Sequence, residues 1–461
     1  MIRALLAILS LSFASLTHAE TKVPTSQVEI QLGFAPLVKE AAPAVVNIYA
    51  KRVVEVRQSP FQNDPFFQNL FRDFGTTQPR VQNSLGSGVI LSADGIVVSN
   101  YHVVGMATDI RVVLNDRREF AARVLLGDQE NDLAILQLID APENMPHLTL
   151  RDSDTVDVGE LVLAIGNPFG VGQTVSSGIV SGLARSGTAA GAGQGYFLQT
   201  DAPINPGNSG GALIDINGDL IGINTRILTR SGGSNGIGFA IPTNLVAQFV
   251  SQAEAGNESF QRPWAGASGQ PVDADMAETL GLDRPGGIVI SALHPASPLL
   301  EAGLAPGDVI LAVDGQAVNT GAEMLFRMSV AGLGASADLT VLQGGARGDV
   351  TISMMSPPES PARETVTTNR RSAIPGVVLS NINPAVIAEF RLSLGSEGVL
   401  IEDPGQIGGR AGLRRGDILL SVDGDETPDT KSAERALRNA SSRITLSVQR
   451  GGQQILMRFR L

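Results

Sequence analysis

A long internal repeat limits what this chain can fold into. The run Ala302-Gly303-Leu304-Ala305-Pro306-Gly307-Asp308-Val309-Ile310-Leu311-Ala312-Val313-Asp314-Gly315 returns 109 residues later as Ala411-Gly412-Leu413-Arg414-Arg415-Gly416-Asp417-Ile418-Leu419-Leu420-Ser421-Val422-Asp423-Gly424. Two segments with one pattern share one local solution, so the C-terminal half holds two copies of the same unit. In each copy a Gly-Asp turn precedes an apolar run of strand length, and an Asp-Gly hairpin turn follows it. The chain has 461 residues, so the N-terminal half is left for a different domain.

In that half, Asn205-Pro206-Gly207-Asn208-Ser209-Gly210-Gly211 places one hydroxyl among residues with almost no side-chain bulk. A serine that attacks a carbonyl needs a base for its proton and N–H donors for the oxyanion that forms. Glycine lets the backbone bend until its own amides face the reacting carbon; Gly207, Asn208 and Ser209 are the candidate donors. Alone, the string also reads as a turn between strands. Four histidines are available as base: His18 in the leader, His147 in a Pro/Asn stretch, His294 before Pro295, and His102. His102 ends the Val-rich run Gly95-Ile96-Val97-Val98-Ser99-Asn100-Tyr101 and is followed by Val103-Val104, which puts an imidazole at the end of a buried strand. Asp132 stands at the mouth of the apolar run Leu133-Ala134-Ile135-Leu136-Gln137-Leu138, where a carboxylate can orient an imidazole and stabilise its charged form. Singly, these two also read as a core histidine and a turn aspartate. The order His102, Asp132, Ser209 is that of the triad in the chymotrypsin fold.

Composition removes several alternatives. The chain has no cysteine, so thiol nucleophiles, disulfides and cysteine metal sites are excluded. Four scattered histidines without a His-Glu-x-x-His pattern argue against a metal enzyme. A net charge of −12 argues against a general nucleic-acid binder, which wants a basic face. Many short Val/Ile runs with 52 glycines between and within them indicate β-rich domains. Arg3, the apolar run from Ala4 to Leu16 and the small-x-small string Thr17-His18-Ala19 read as an export signal cleaved after Ala19.

The motifs together resemble the HtrA (Deg) family of serine proteases. Ser99-Asn100-Tyr101-His102-Val103-Val104, Asn131-Asp132-Leu133-Ala134 and Gly207-Asn208-Ser209-Gly210-Gly211-Ala212-Leu213 are similar to its three catalytic blocks. Gly166-Asn167-Pro168-Phe169-Gly170, Gln173-Thr174-Val175 and Gly236-Ile237-Gly238-Phe239-Ala240-Ile241-Pro242 match it also, and Tyr101 departs from its usual Asn. The duplicated run resembles the core of PDZ domains of the bacterial protease type. The resemblance implies a mainly β protein: a chymotrypsin-like double β-barrel protease domain followed by two PDZ-like α+β domains. It implies His102, Asp132 and Ser209 as the triad, an oxyanion hole at Gly207, Asn208 and Ser209, and a pocket for small aliphatic residues around Ile204, Thr225, Arg226 and Ile227. No cofactor and no metal are implied. Expected partners are unfolded protein or peptide substrates, C-terminal peptides at the first PDZ-like domain, and further copies in a homotrimer or a larger multiple of trimers. The expected compartment is the periplasm.

Within this frame, residues 1–19 form the signal peptide, 20–253 the protease domain, 263–356 and 373–461 the PDZ-like domains, and 357–372 a Pro- and charge-rich linker. This linker and a shorter joint near 254–262 would let the PDZ-like domains move relative to the protease. A Phe-rich loop, 58–82, carries five of the chain's 16 Phe and is expected to regulate activity across subunits. The loops 186–195 and 225–236 are Gly-rich and suit an order–disorder switch. Carboxylate capture is expected at Trp264, Ala265, Gly266 and Ala267 in the first PDZ-like domain, where the family usually has a Gly-Leu-Gly-Ile-like string. The second has Ile374-Pro375-Gly376-Val377, in which Pro375 lacks an N–H donor. The function implied is an exported, ATP-independent serine endopeptidase acting on unfolded or damaged proteins. The alternatives are a peptide-binding holdase chaperone with little proteolysis, or a narrow regulatory protease activated through its PDZ domain.

Overall fold

The computed structural model describes residues 33–58, 76–167, 172–186, 196–205, 207–227, 234–440 and 443–460. A short helix, α1 (Ala35–Ala41), leads into six strands, β1 (Val45–Gln58), β2 (Thr76–Ile90), β3 (Ile96–Ser99), β4 (Asp109–Val113), β5 (Glu119–Asp128) and β6 (Leu133–Leu138). They close as a barrel in the order β1-β2-β3-β6-β5-β4. A one-turn helix, α2 (Tyr101–Val104), follows β3. The second barrel comprises β7 (Leu161–Gly166), β8 (Thr174–Ser186), β9 (Tyr196–Thr200), β10 (Ala212–Ile214), β11 (Leu220–Ile227) and β12 (Gly238–Pro242), closed in the order β10-β11-β12-β9-β8-β7. Closure removes free edges, so short strands buried on both faces are stable here. β3 and β12 are buried at every position, which is why they read as continuous apolar runs and not as alternating ones.

The Phe-rich segment differs from its expected form at both ends. β1 and β2 extend the barrel as a two-stranded ribbon, with Lys51↔Asn83, Val53↔Val81 and Gln58↔Thr76 in register. An antiparallel pair already in register continues without further loop-closure entropy, so this ladder runs on beyond the barrel wall. Phe61, Phe66, Phe67, Phe71 and Phe74 lie outside the described residues, as do the leader and most of the loop 186–195.

Helix α3 (Thr243–Glu254) ends the barrel pair and packs against both β5–β6 and β11–β12. The third sheet holds β13 (Ala267–Pro271), β14 (Ile288–Leu293), β15 (Val309–Val313), β16 (Gln316–Ala317), β17 (Ser336–Gln343) and β18 (Ala346–Ser353), ordered β13-β14-β15-β17-β18, and carries helix α4 (Gly321–Ala331). The fourth holds β19 (Val366–Thr367), β20 (Val378–Asn381), β21 (Val399–Asp403), β22 (Ile418–Val422), β23 (Asp425–Glu426), β24 (Arg443–Arg450) and β25 (Gln453–Arg460), ordered β19-β20-β21-β22-β24-β25, with helix α5 (Thr430–Asn439). The repeat builds the same turns twice. Asp308 accepts the Ala305 amide and Asp417 the Arg414 amide, each at 2.8 Å. Asp314 and Asp423 take φ of 47° and 51° at hairpins whose next residue is glycine, as a type I′ turn requires.

The first duplicated unit is held to the second barrel. Phe326 of α4 stacks on Tyr196 of β9 with centroids 3.9 Å apart. Arg327 beside it is buried, pairs with Asp154, and donates to the Tyr196 hydroxyl at 2.8 Å. Gln248 of α3 donates to the Val330 carbonyl at 2.9 Å. A mobile tether would leave these groups in water; here α4 is docked instead. Breaking a buried ion pair strands one charge, so Arg327→Ala should weaken docking by about 2 kcal/mol, less than for a fully buried pair because Asp154 is partly exposed. Faster limited proteolysis of the joint 254–262 would register the release; an unchanged rate would show that the pair does not hold the unit.

Candidate functional site

Helix α2 carries His102 at the cleft between the barrels. Val103 and Val104 are buried and anchor the turn, while about half of the His102 side chain is exposed. The expected strand-end histidine therefore sits one residue into a helical turn. Asp132 immediately precedes β6 in the left-handed region, φ 55°, a conformation that Asp adopts more readily than bulkier residues. Its carboxylate is almost fully buried. His102 Nδ1 lies 2.9 Å from both Asp132 oxygens, and the His102 amide donates to Oδ1 at 3.0 Å. Thr225 at the end of β11 donates its hydroxyl to Oδ2 at 2.6 Å, and Asn100 Nδ2 donates to the Asp132 carbonyl at 2.8 Å. Burial alone would push the Asp132 carboxyl up. The His102 ring and its charge, the Thr225 hydroxyl and the His102 amide outweigh it, and the carboxyl lies below its ordinary value.

Ser209 approaches from the second barrel. Its carbonyl accepts the Ser87 amide of β2 at 2.9 Å, and the Ser87 hydroxyl donates to the Gly207 carbonyl at 2.7 Å. The Asn167 amide donates back to Ser87 Oγ at 2.9 Å. Ser87 thus braces the Gly207–Ser209 loop across the cleft, a role that its place in an ordinary strand run does not announce. Gly210, at φ 83°, has no room for a side chain: a Cβ there would lie 2.1 Å from the Ser87 carbonyl oxygen. The Ser209 hydroxyl donates to the Thr225 carbonyl at 3.0 Å, and no hydrogen bond joins it to His102 among the described residues.

The candidate oxyanion donors divide. The Asn208 amide donates to the Asn205 carbonyl at 3.0 Å, whereas those of Gly207 and Ser209 have no acceptor among the described residues. The residues expected to form a pocket divide too. Ile204 lies in the second barrel's core with Ile227 packed against that cluster. Thr225 serves Asp132 and Ser209, and the Arg226 guanidinium sits 5.2 Å over the Phe197 ring. β10 pairs with β11 as far as Ile223 and Gly210–Gly211 bond to Asn224, so Thr225–Ile227 have no strand partner on that edge among the described residues. A cavity of about 500 Å³ lies there, lined by Tyr101, His102, Met106, Asp132, Thr225 and Arg226. Among the described residues no cluster of three or more His, Asp or Glu is placed to hold a metal ion.

In the first duplicated unit, Trp264 is mostly buried, its amide donates to the Met355 carbonyl at 2.8 Å, and its ring meets His294 edge-on. The Ser297 hydroxyl and the His294 amide donate to the carbonyls of Ala265 and Gly266 at 2.6 and 2.8 Å, which fixes the loop. The Ala265 and Gly266 amides have no acceptor among the described residues. They line a cavity of about 800 Å³ together with Ala267, Ser268, Met324 and Met328.

Because the Asp132 carboxyl is depressed in the folded state, its contribution to stability is present above the unfolded value and lost as pH falls through the folded one. Thr225→Val removes one stabilising donor. The carboxyl should rise and acid unfolding should begin at higher pH. Acid titration of unfolding checks this; an unchanged midpoint would make the hydroxyl a spectator.

Three protein-family models match this chain: a trypsin-like peptidase domain over residues 86–223 and PDZ domains over residues 259–354 and 401–450. A probable periplasmic serine endoprotease, DegP-like, from Halomonas elongata is 39% identical over 84% of this chain and 84% of its own length. The periplasmic pH-dependent serine endoprotease DegQ of Escherichia coli is 36% identical over 92% of this chain and 91% of its own. Among solved structures, the HtrA-type protease AlgW with a decapeptide superposes with a TM-score of 0.52 at 39% identity, over 71% of this chain and 99% of that one. These likenesses run through both barrels and the duplicated units, and with them the chain belongs to the HtrA (Deg) family of serine endoproteases, built from a trypsin-like peptidase domain and two PDZ domains.

Proposed function

We propose that His102, Asp132 and Ser209 act as one catalytic triad and that this enzyme cuts unfolded or damaged proteins in the periplasm. The observation that carries the reading is the buried Asp132 carboxylate holding the His102 ring through Nδ1, which leaves Nε2 for the nucleophile. Ser209 Oγ attacks the scissile carbonyl as His102 Nε2 takes its proton. The oxyanion is received by the amides of Gly207 and Ser209. His102 then protonates the leaving amine, and water, deprotonated by the same imidazole, releases the acyl group from Ser209. The starting geometry supports a resting form: Ser209 Oγ is engaged by the Thr225 carbonyl and must rotate towards His102 before attack. A substrate chain adds as a strand along the free edge of Thr225–Ile227, as extended peptides do at exposed sheet edges.

The export signal and the periplasmic relatives support the location. The division into a leader (1–19), a protease (20–253), two PDZ-like domains (263–356 and 373–461) and a joining segment (357–372) is part of the proposal, as is assembly in trimers or multiples of them. The free Ala265 and Gly266 amides support capture of C-terminal peptides in the first PDZ domain. That open cavity also favours a second reading, in which the protein holds unfolded clients as a chaperone.

The leaderless protein and its Ser209→Ala form, incubated with an unfolded, disulfide-free protein over a range of temperatures, separate these readings. Cleavage should fall on the order of 10⁴- to 10⁶-fold in the variant, since triad members act as a unit. Persistent suppression of light scattering by Ser209→Ala would establish holding as a second activity. Equal cleavage by both proteins would remove Ser209 from the mechanism.

A further inference from the structure

The two copies of the duplicated unit differ at one sheet edge. In the first, β13 ends its sheet, and the groove between it and α4 is open. Its counterpart in the second is β20, which pairs with β21 as β13 pairs with β14. β20 is not an edge. The short strand β19, from the segment expected as a linker, lies antiparallel along it with Val366↔Leu379 and Thr367↔Val378. Upstream, the Asn381 amide donates to the Arg363 carbonyl at 2.8 Å. Downstream, the buried Thr368 meets the loop Ile374–Val377. Its amide donates to the Val377 carbonyl and its carbonyl accepts the Gly376 amide, both at 2.9 Å, while its hydroxyl accepts the Val377 amide at 2.9 Å. The other wall is α5: Lys431 donates to Glu364 at 3.0 Å, and Asn369 donates to Glu434 at 3.3 Å.

We propose that Thr365–Thr368 is a built-in ligand of the second PDZ domain, filling a site that takes the C-terminus of an extended peptide. The segment lies as strand addition requires, antiparallel to the receiving strand and with its C-terminal end towards the backbone loop. Pro375 leaves that loop only the amides of Gly376 and Val377 as its last donors, and Thr368 occupies both with two oxygens, carbonyl and hydroxyl. A terminal carboxylate brings two oxygens to the same two amides and differs only in lacking the proton that the Thr368 hydroxyl donates to the Ile374 carbonyl at 2.7 Å. Thr365, Val366, Thr367 and Thr368 also suit an extended backbone, because β-branched residues favour strands. A tethered segment competes with free peptide at an effective concentration on the order of millimolar. The second domain therefore admits a peptide only when its own segment leaves, and the apparent affinity is reduced by the fraction of open form. This inference rests on the second unit being a PDZ domain and is independent of the proteolytic reading; absence of cleavage would bear on that reading alone.

The test uses the full chain carrying Ser209→Ala, with a labelled peptide of the sequence Ser360–Thr368 ending in a free carboxylate. Thr368→Pro removes the amide and the hydroxyl; Thr368→Val keeps the shape and removes the hydroxyl. Amide hydrogen exchange at Gly376, Val377 and β20 locates binding in the second domain and separates it from binding in the first. In the parent these amides should be protected without peptide, and peptide should not alter them at micromolar concentration. Protection should fall in both variants by the same factor by which affinity at β20 rises, at least tenfold for Thr368→Pro and about threefold for Thr368→Val, and should be restored on adding peptide. Affinity within twofold of the parent in both variants would overturn the proposal, as would micromolar binding at β20 by the parent. Should Thr368→Pro unfold the domain, Thr368→Val decides alone.

Discussion

The cleft depends on one buried carboxylate. Asp132 belongs to the first barrel, yet its second oxygen is held by Thr225 of the second barrel at 2.6 Å, while both oxygens face the His102 ring. A buried charge without partners would be neutralised or would drive the barrels apart. With a ring, an amide and a hydroxyl arranged around it, it stays ionised and ties together elements from both barrels. The left-handed backbone at Asp132 turns the side chain into the cleft at the point where β6 begins.

Around that anchor the Gly207–Gly211 loop is braced and not merely flexible. Ser87 donates through its amide and hydroxyl to the carbonyls of Ser209 and Gly207, and Gly210 fits only because it lacks a side chain. These contacts occupy the loop's carbonyls, and among the described residues the amides of Gly207 and Ser209 have no acceptor. In the proposed mechanism this separates support from chemistry: carbonyls hold the loop, and amides receive the developing negative charge.

The C-terminal units show how one fold is put to two states by its surroundings. Each has an edge strand, a helix opposite it and a backbone loop at one end. In the first, the groove stays open while α4 is fixed to the second barrel by Phe326, Arg327 and Tyr196. In the second, the preceding segment supplies β19 and satisfies the edge. An unpaired edge is a liability that proteins cover or use; in this chain one edge is covered and the other stands open.

The sequence alone was sufficient for the two barrels and the duplicated unit, and it named the candidate residues that the cleft brings together. The repeat predicted two like units because its turn and strand signals are local, and the structure repeats even the Asp308 and Asp417 turn bonds. The apolar run after Asp132 placed that residue at the mouth of a strand, since burial at both faces leaves a pattern that can be read directly, whereas the strand before His102 stops at Ser99 and the histidine sits in a helical turn. Other features depend on contacts between residues far apart in the chain and leave no local pattern. Thr225 reaches Asp132 across 93 positions, and Ser87 reaches Gly207 across 120. Pro- and charge-rich composition at 357–372 indicates a solvated tether, and nothing in it states that Thr368 satisfies the amides of Gly376 and Val377. Which hydroxyl points at which carbonyl, which amide stays free and which sheet edge is covered were decided by the tertiary structure, because hydrogen bonds are satisfied in space and composition records only what is available to satisfy them.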